Sequence, residues 1–160
     1  MSQEIISRIE EVKRNIGENE KKLQDDKTRH KELIATQAKA VKKLLKQMTP
    51  ILDYMAKNNI SFENEELQLH SPIGPIVGFN KDSLELYVIV SGGSITEINL
   101  NMEKVTKRNI SLEDFLKNYS FEFVYESLLE QLKFQEKQLD RIGEKIKEAE
   151  TALAKYNLSN

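Results

Sequence analysis

Apolar residues recur at alternating steps of four and three over the last third of the chain, from Phe121 to Tyr156. Ten of the eleven positions on this stripe are apolar or aromatic, and Gln135 is the exception. Such a 3.5-residue repeat is typical of a coiled-coil seam, because only that spacing keeps one stripe against a partner helix. At about 1.5 Å per residue, the pattern predicts a helix roughly 50 Å long that lies against another long element.

A second, weaker repeat of the same period runs over residues 5–33. Asn19, Asp26 and His30 interrupt its apolar steps. If the two stripes pair antiparallel, the position numbers across the seam sum to 161 or 162, and Asp26 then faces Gln135. A single polar layer of this kind fixes the register of a coiled coil. The sequence therefore predicts an antiparallel helical hairpin formed by the two ends of one chain.

Charged residues beside the two stripes agree with this register. It places Lys13 near Glu150 and Lys27 near Glu136, whereas a shift by one heptad brings acidic residues together. Each exposed ion pair contributes only about 0.3–0.5 kcal/mol, so these pairs select the register more than they stabilise it.

The apolar face of the first helix widens after residue 33, where Ile34, Val41 and Leu45 extend it. The proximal parts of both helices are therefore expected to pack on a larger element. Thr49-Pro50 predicts a kink or a restart of the first helix, and Asn58-Asn59 predicts its end.

Four runs of alternating or β-branched residues predict strands at 66–70, 75–80, 84–90 and 95–102. Side-chain matching predicts Phe79 opposite Leu84 across a two-residue loop. It also predicts Val88 opposite Ile98 across a three-residue loop. The second face of this sheet, with Tyr87, Ile89 and Ile95, is expected to meet water or a partner. Ser111 followed by acidic residues predicts a short helix over 112–117.

The predicted fold is α+β, with a long antiparallel coiled-coil helical hairpin and a small antiparallel β-meander inserted between its helices. Residues 1–32 and 132–157 form the predicted coiled-coil arm, and residues 33–131 form the predicted β-containing head. This order of long helix, β-hairpins and long helix resembles an α-type prefoldin subunit in outline. The resemblance is one of architecture, and it implies a chaperone-like oligomer built through the hairpins, with client contacts at the arm tips.

Net charge, cysteine content and the length of apolar runs limit the classes of protein that this sequence fits. The formal net charge is −2, the chain has no cysteine, and no apolar run approaches the 18 residues of a membrane span. These features predict a cytoplasmic protein without disulfides. His30 and His70 lie 40 residues apart in no metal-ligand spacing, and the chain has no catalytic, P-loop or dinucleotide-binding motif. No enzymatic activity, metal or cofactor is expected.

Basic residues supply the candidate binding sites. Four lysines share one helical stripe opposite the apolar face, and a smaller basic cluster follows the last predicted strand: Lys39, Lys42, Lys43, Lys46, Lys104, Lys107 and Arg108. Such residues bind a phosphate backbone or an acidic partner, although a solvated helix face explains the stripe as well.

Two functions follow from these patterns. The leading prediction is a non-enzymatic adaptor or chaperone-like homo-oligomer, most simply a dimer, which assembles through its β-region. Its coiled-coil arm would engage another protein. The alternative is a nucleic-acid-binding regulatory protein that uses the lysine stripe.

Overall fold

The computed structural model describes residues 1–101 and 107–158, apart from the side chain of Lys107. The first element, α1 (Gln3–Lys57), is a single helix of 55 residues. Ser2 begins it as the N-cap, and Asn58 and Asn59 end it as the sequence predicts. Asn59 adopts a left-handed φ of 54°, a conformation that Asn tolerates better than most residues.

The predicted restart of α1 at Thr49-Pro50 is wrong, because the helix continues through Pro50 to Lys57, while the alternative of a kink stays a prediction. The Thr49 hydroxyl donates to the carbonyl oxygen of Leu45 at 2.9 Å, one turn earlier. Two buried residues, Met48 and Met55, hold this part of the helix against the head on both sides of the proline. Packing of this kind offsets the hydrogen bond that the proline ring removes.

The β-region contains a two-stranded ladder and a four-stranded antiparallel sheet in the order β3-β4-β5-β6. The strands are β1 (Phe62–Asn64), β2 (Leu69–Ser71), β3 (Ile76–Asn80), β4 (Glu85–Ile89), β5 (Ile95–Asn99) and β6 (Lys107–Ile110). Strands β1 and β6 were not predicted. Part of the predicted 95–102 strand and residue Lys104 lie outside the described residues.

The register of the sheet differs from the prediction. Phe79 pairs with Leu86 rather than Leu84, because the turn after Asn80 is longer than predicted. A bulge between Ile76 and Gly78 shifts the register again further along β3. Val88 pairs with Thr96 rather than Ile98. This second shift is two residues, so it leaves each side chain on its predicted face. The loop between β4 and β5 has the predicted three residues, Ser91–Gly93, but it is centred one residue earlier, with Gly92 and Gly93 at φ of 87° and 88°.

The two faces of the sheet form two apolar clusters, and the expectation for the second face is wrong. Tyr87, Ile89 and Ile95 do not meet water, because they pack in the main core against α1 and the C-terminal helices. The opposite face, which includes Val88, is covered from within the chain by Leu67 and other partly buried residues.

Three helices follow the sheet: α2 (Leu112–Leu116), α3 (Phe121–Glu130) and α4 (Phe134–Lys155). Ser111 caps α2 by accepting from the backbone N–H of Asp114 at 3.1 Å, which confirms the predicted helix start. A single 3-10 turn, Gln131–Lys133, joins α3 to α4. The C-terminal stripe is therefore helical over nearly all of its predicted length.

The predicted pairing of the two helices in one chain is wrong. The ring of Phe134, at the start of α4, lies 5.9 Å between centroids from the ring of Tyr54, near the end of α1. Asp26 lies 28 residues before Tyr54 on the same helix, which is about 40 Å away at 1.5 Å per residue. Gln135 therefore does not face Asp26.

The predicted α+β class is confirmed, with a long N-terminal helix, a small antiparallel sheet and a C-terminal helix. Because the two long helices meet only near the end of α1, the architectural resemblance to an α-type prefoldin subunit extends to the order of elements and not to a hairpin of arms.

Candidate interaction surfaces

The first candidate surface is the apolar stripe on the N-terminal part of α1, which we call the N-seam. Its side chains are 42–55% exposed: Ile5, Ile9, Val12, Ile16, Leu23 and Leu33. Every described residue from Met1 to Leu33 is exposed, and the first buried residue of α1 is Ile34. The N-terminal arm, residues 3–33, therefore carries an apolar stripe with 3.5-residue spacing that none of the described residues covers.

The second candidate surface is the corresponding stripe on α4, which we call the C-seam. Its side chains are 44–69% exposed: Leu139, Ile142, Ile146, Leu153 and Tyr156. No residue of α4 is buried. Helices normally gain most of their stability in proteins from packing of an apolar face. Both seams thus have the apolar residues of a helix interface, but none of the described residues packs over them.

An ionic cluster sets the direction of α4. The Arg141 guanidinium donates to both carboxylate oxygens of Glu63, each at 2.7 Å, and Lys137 lies 3.0 Å from Glu65. The hydrogen bond from Arg141 holds the pKa of Glu63 below its usual value. A bidentate Arg–carboxylate pair has a fixed planar geometry. The first two turns of α4 are therefore tied to β1, which directly follows the end of α1.

A buried polar network supports the same junction. The Asn64 side-chain amide donates to the Ile76 carbonyl and to the Ser127 hydroxyl, both at 3.1 Å, and its oxygen accepts from the backbone of Leu67. The Gln131 amide donates to the Glu63 carbonyl at 2.8 Å. Buried polar groups that satisfy one another in this way rigidify their surroundings. Asn64 was not singled out from the sequence, since only the fold brings it to Ser127, 63 positions later.

The lysine stripe lies on the exposed side of α1, as its spacing predicts. Lys42 is engaged within the chain, since its Nζ lies 2.8 Å from a carboxylate oxygen of Glu113. Its stem also crosses Gly93, where an added Cβ would lie 3.1 Å from it. Lys39, Lys43 and Lys46 have no ion pair among the described residues.

The second basic cluster is only partly described. Lys104 lies outside the described residues, and Lys107 begins β6. Arg108 is exposed on β6, with its guanidinium 3.9 Å from a carboxylate oxygen of Glu97. Nucleic-acid or partner binding by any of the seven basic residues stays a prediction.

Two carboxylates meet on the sheet. Burial and then the neighbouring Glu85 raise the pKa of Glu97, while a hydrogen bond from the Tyr87 hydroxyl, at 2.9 Å, lowers that of Glu85. Burial also raises the pKa of Tyr87. No histidine accompanies these groups in the contacts described, and the pair is explained by its place in the sheet.

A groove of about 680 Å³ lies between the β1-β2 turn and α3. Its polar lining is mostly acidic: Glu65, Glu66, Glu122, Glu126 and Glu130. Within residues 1–101 and 107–158, no group of three His, Cys, Asp or Glu side chains is arranged to hold a metal ion. None of the helices in that part of the chain combines the length and apolar character that a membrane crossing needs.

Comparison of the chain with protein-family models, with curated proteins and with solved structures found no match.

Proposed function

We propose that this chain is a cytoplasmic, non-enzymatic interaction protein that binds partner helices through the N-seam and the C-seam. The observation that carries the proposal is the exposure of both seams, each with apolar residues at coiled-coil spacing. The head, which contains the sheet and the two apolar clusters, holds the two arms in fixed directions. Assembly through the β-region stays a prediction, and both faces of the sheet are covered from within the chain.

The size of the effect can be estimated from burial. Full burial of an isoleucine side chain contributes about 1.5–3 kcal/mol. Ile9, Ile16, Ile142 and Ile146 are each about half exposed, so covering what remains contributes roughly 1 kcal/mol per residue. Four such residues together account for about 4 kcal/mol, which corresponds to roughly a thousandfold in a dissociation constant.

The experiment compares the wild type with a seam variant that carries Ile9→Ser, Ile16→Ser, Ile142→Ser and Ile146→Ser. A matched control changes four exposed residues off the seams without changing net charge: Glu11→Ser, Lys21→Ser, Lys147→Ser and Glu148→Ser. Association, whether with other copies or with proteins retained from native lysate, is measured by light scattering and by pull-down. We expect the seam variant to lose it and the control to keep it. Equal behaviour of all three proteins would contradict the proposal.

The alternative, nucleic-acid binding, is supported by the exposure of Lys39, Lys43 and Lys46 without ion pairs among the described residues. The net charge of −2 gives it no general electrostatic support. The salt dependence of oligonucleotide binding tests this alternative separately.

A further inference from the structure

We infer that the occupant of the seams is a second copy of this chain, with the N-seam of each copy packed antiparallel on the C-seam of the other. The inference rests on the proposed function, because it names the partner that the two seams take. The resulting dimer would contain two equivalent coiled coils, each made of one N-terminal arm and one α4.

The first support is the direction in which the arms leave the head. Phe134 lies beside Tyr54, and the bidentate contact of Arg141 with Glu63 holds the next two turns of α4 there. Gln138 and Arg141 line a pocket together with Asn58–Ser61, the residues that follow α1, so α4 extends past the end of α1 rather than back along it. The N-terminal arm extends from the other end of the head. A two-fold axis across α1 then brings the N-terminal arm of one copy alongside the α4 of its partner, running in opposite directions.

The second support is that the two stripes fit each other although they do not meet in one chain. In the antiparallel register, Asp26 lies opposite Gln135 at one end of the seam, and Ile5 lies opposite Tyr156 at the other end. The N-terminal arm from Ile5 to Asp26 is as long as α4 from Gln135 to Tyr156. Every seam residue of α4 therefore lies opposite a residue of the partner's N-terminal arm.

The third support is charge complementarity beside the seams. In an antiparallel pair, Lys13 lies near Glu150 and Lys27 lies near Glu136 of the other helix. Charges at these flanking positions select partner and orientation in coiled coils.

Two N-terminal arms side by side in parallel make a poor alternative. That arrangement brings Lys22 of one copy near Lys27 of the other, and Arg8 near Lys13, because flanking positions five residues apart meet across a parallel seam. It also stacks the two Asp26 carboxylates in the apolar seam. These like charges disfavour the parallel pair. In the antiparallel exchange, none of these like-charged residues lie opposite each other.

Single cysteines test the exchange, because the chain has none of its own. Asp26→Cys and Gln135→Cys are produced as separate variants, then co-expressed and treated with a short bis-maleimide. We expect a crosslinked species of twice 18.5 kDa from the co-expressed pair and none from either variant alone. Crosslinking of Asp26→Cys alone would overturn the inference in favour of paired N-terminal arms. No crosslinking in the co-expressed pair would overturn it as well.

Charge reversal supplies the second test. The double variant Lys13→Glu, Lys27→Glu is expected to raise the dimer dissociation constant at least tenfold in a light-scattering dilution series. Adding Glu136→Lys and Glu150→Lys is expected to restore it, which a general loss of stability would not do. An unchanged dimer in the double variant, or no rescue, would overturn the inference.

The two proposals fail in different ways. A wild type that stays monomeric, yet retains lysate proteins that the seam variant loses, would overturn the exchange and leave the proposed function standing. A seam variant that matches the wild type in both assays would overturn both.

Discussion

The guanidinium of Arg141 and the carboxylate of Glu63 lie 78 residues apart in the chain and form a bidentate ion pair with both oxygens at 2.7 Å. This contact joins the second turn of α4 to the strand that follows α1. Together with the contact of Phe134 with Tyr54, it holds the start of α4 beside the end of α1, far from the N-terminal arm.

Glu63→Gln is expected to lower stability by roughly 0.5–1 kcal/mol at neutral pH, because the contact is partly exposed. The pKa of Glu63 is lowered in the folded state, so its stabilising contribution is present above the ordinary carboxylate pKa and is lost as the pH falls through the folded value. Thermal unfolding of both proteins from pH 7 to pH 3 measures this, and the curves should converge in acid. Glu126→Gln, at an exposed position on α3, is the control. A constant difference across that range would contradict the assignment.

Glu97→Gln is expected to have the opposite pH dependence. Because the pKa of Glu97 is raised by burial and by Glu85, its contribution is fully present below the unfolded pKa and is lost as the pH rises through the folded value. The variant should therefore match or exceed the wild type in melting temperature at pH 7 and lose that advantage toward pH 4. A variant that is less stable at pH 7 than at pH 4, relative to wild type, would show that Arg108 dominates instead.

Asn64→Ala is expected to cost about 1–3 kcal/mol, because it leaves the buried partners of that amide unsatisfied. Urea denaturation followed by circular dichroism measures the change in the free energy of unfolding. Asn101→Ala, at an exposed position, should change it by less than about 0.5 kcal/mol. Equal effects at the two sites would indicate that the Asn64 network contributes nothing beyond its surroundings.

Gly74→Ala is expected to destabilise the protein by about 1–3 kcal/mol, because the added Cβ meets the backbone carbonyl oxygen of Ile89. Gly17→Ala is the matched control, since a Cβ there meets nothing and replaces a helix glycine that costs about 1 kcal/mol relative to alanine. In chemical denaturation, the free energy of unfolding should therefore fall for Gly74→Ala and rise for Gly17→Ala. A stabilising Gly74→Ala would show that β3 and β4 can separate at that point.

The triple variant Lys39→Gln, Lys43→Gln, Lys46→Gln tests nucleic-acid binding while leaving Lys42 in its contact with Glu113. If the stripe binds phosphates, the wild type should show a slope of log K against log salt of about −2 to −3 for three contacts, and the variant should lose most of it. Fluorescence anisotropy with labelled duplex and single-stranded oligonucleotides measures both. Without measurable wild-type binding near physiological salt, the stripe is a solvated helix face.

Local periodicity was sufficient to predict the α+β class, because 3.6-residue and two-residue repeats are properties of each segment by itself. The long helices and the capping by Ser111 follow from such patterns. Three of the four predicted strands overlap observed strands closely, whereas the predicted 66–70 strand overlaps β2 only at its end. β1 and β6 were missed because both are short and lack a clear alternation, and each is completed by backbone pairing with a neighbour.

The sequence by itself determined that two apolar stripes with 3.5-residue spacing exist, and it predicts that they match in an antiparallel register. Only the tertiary structure decided that they do not meet in one chain. Complementarity depends on spacing and charge along each helix, which are local. The direction of α4 depends on contacts such as Arg141 with Glu63 and Phe134 with Tyr54, which the chain makes only after α1, β1 and α3 have packed together. The same reason explains why the buried face of the sheet was misassigned: which face becomes the core depends on where the helices dock, not on the strands alone.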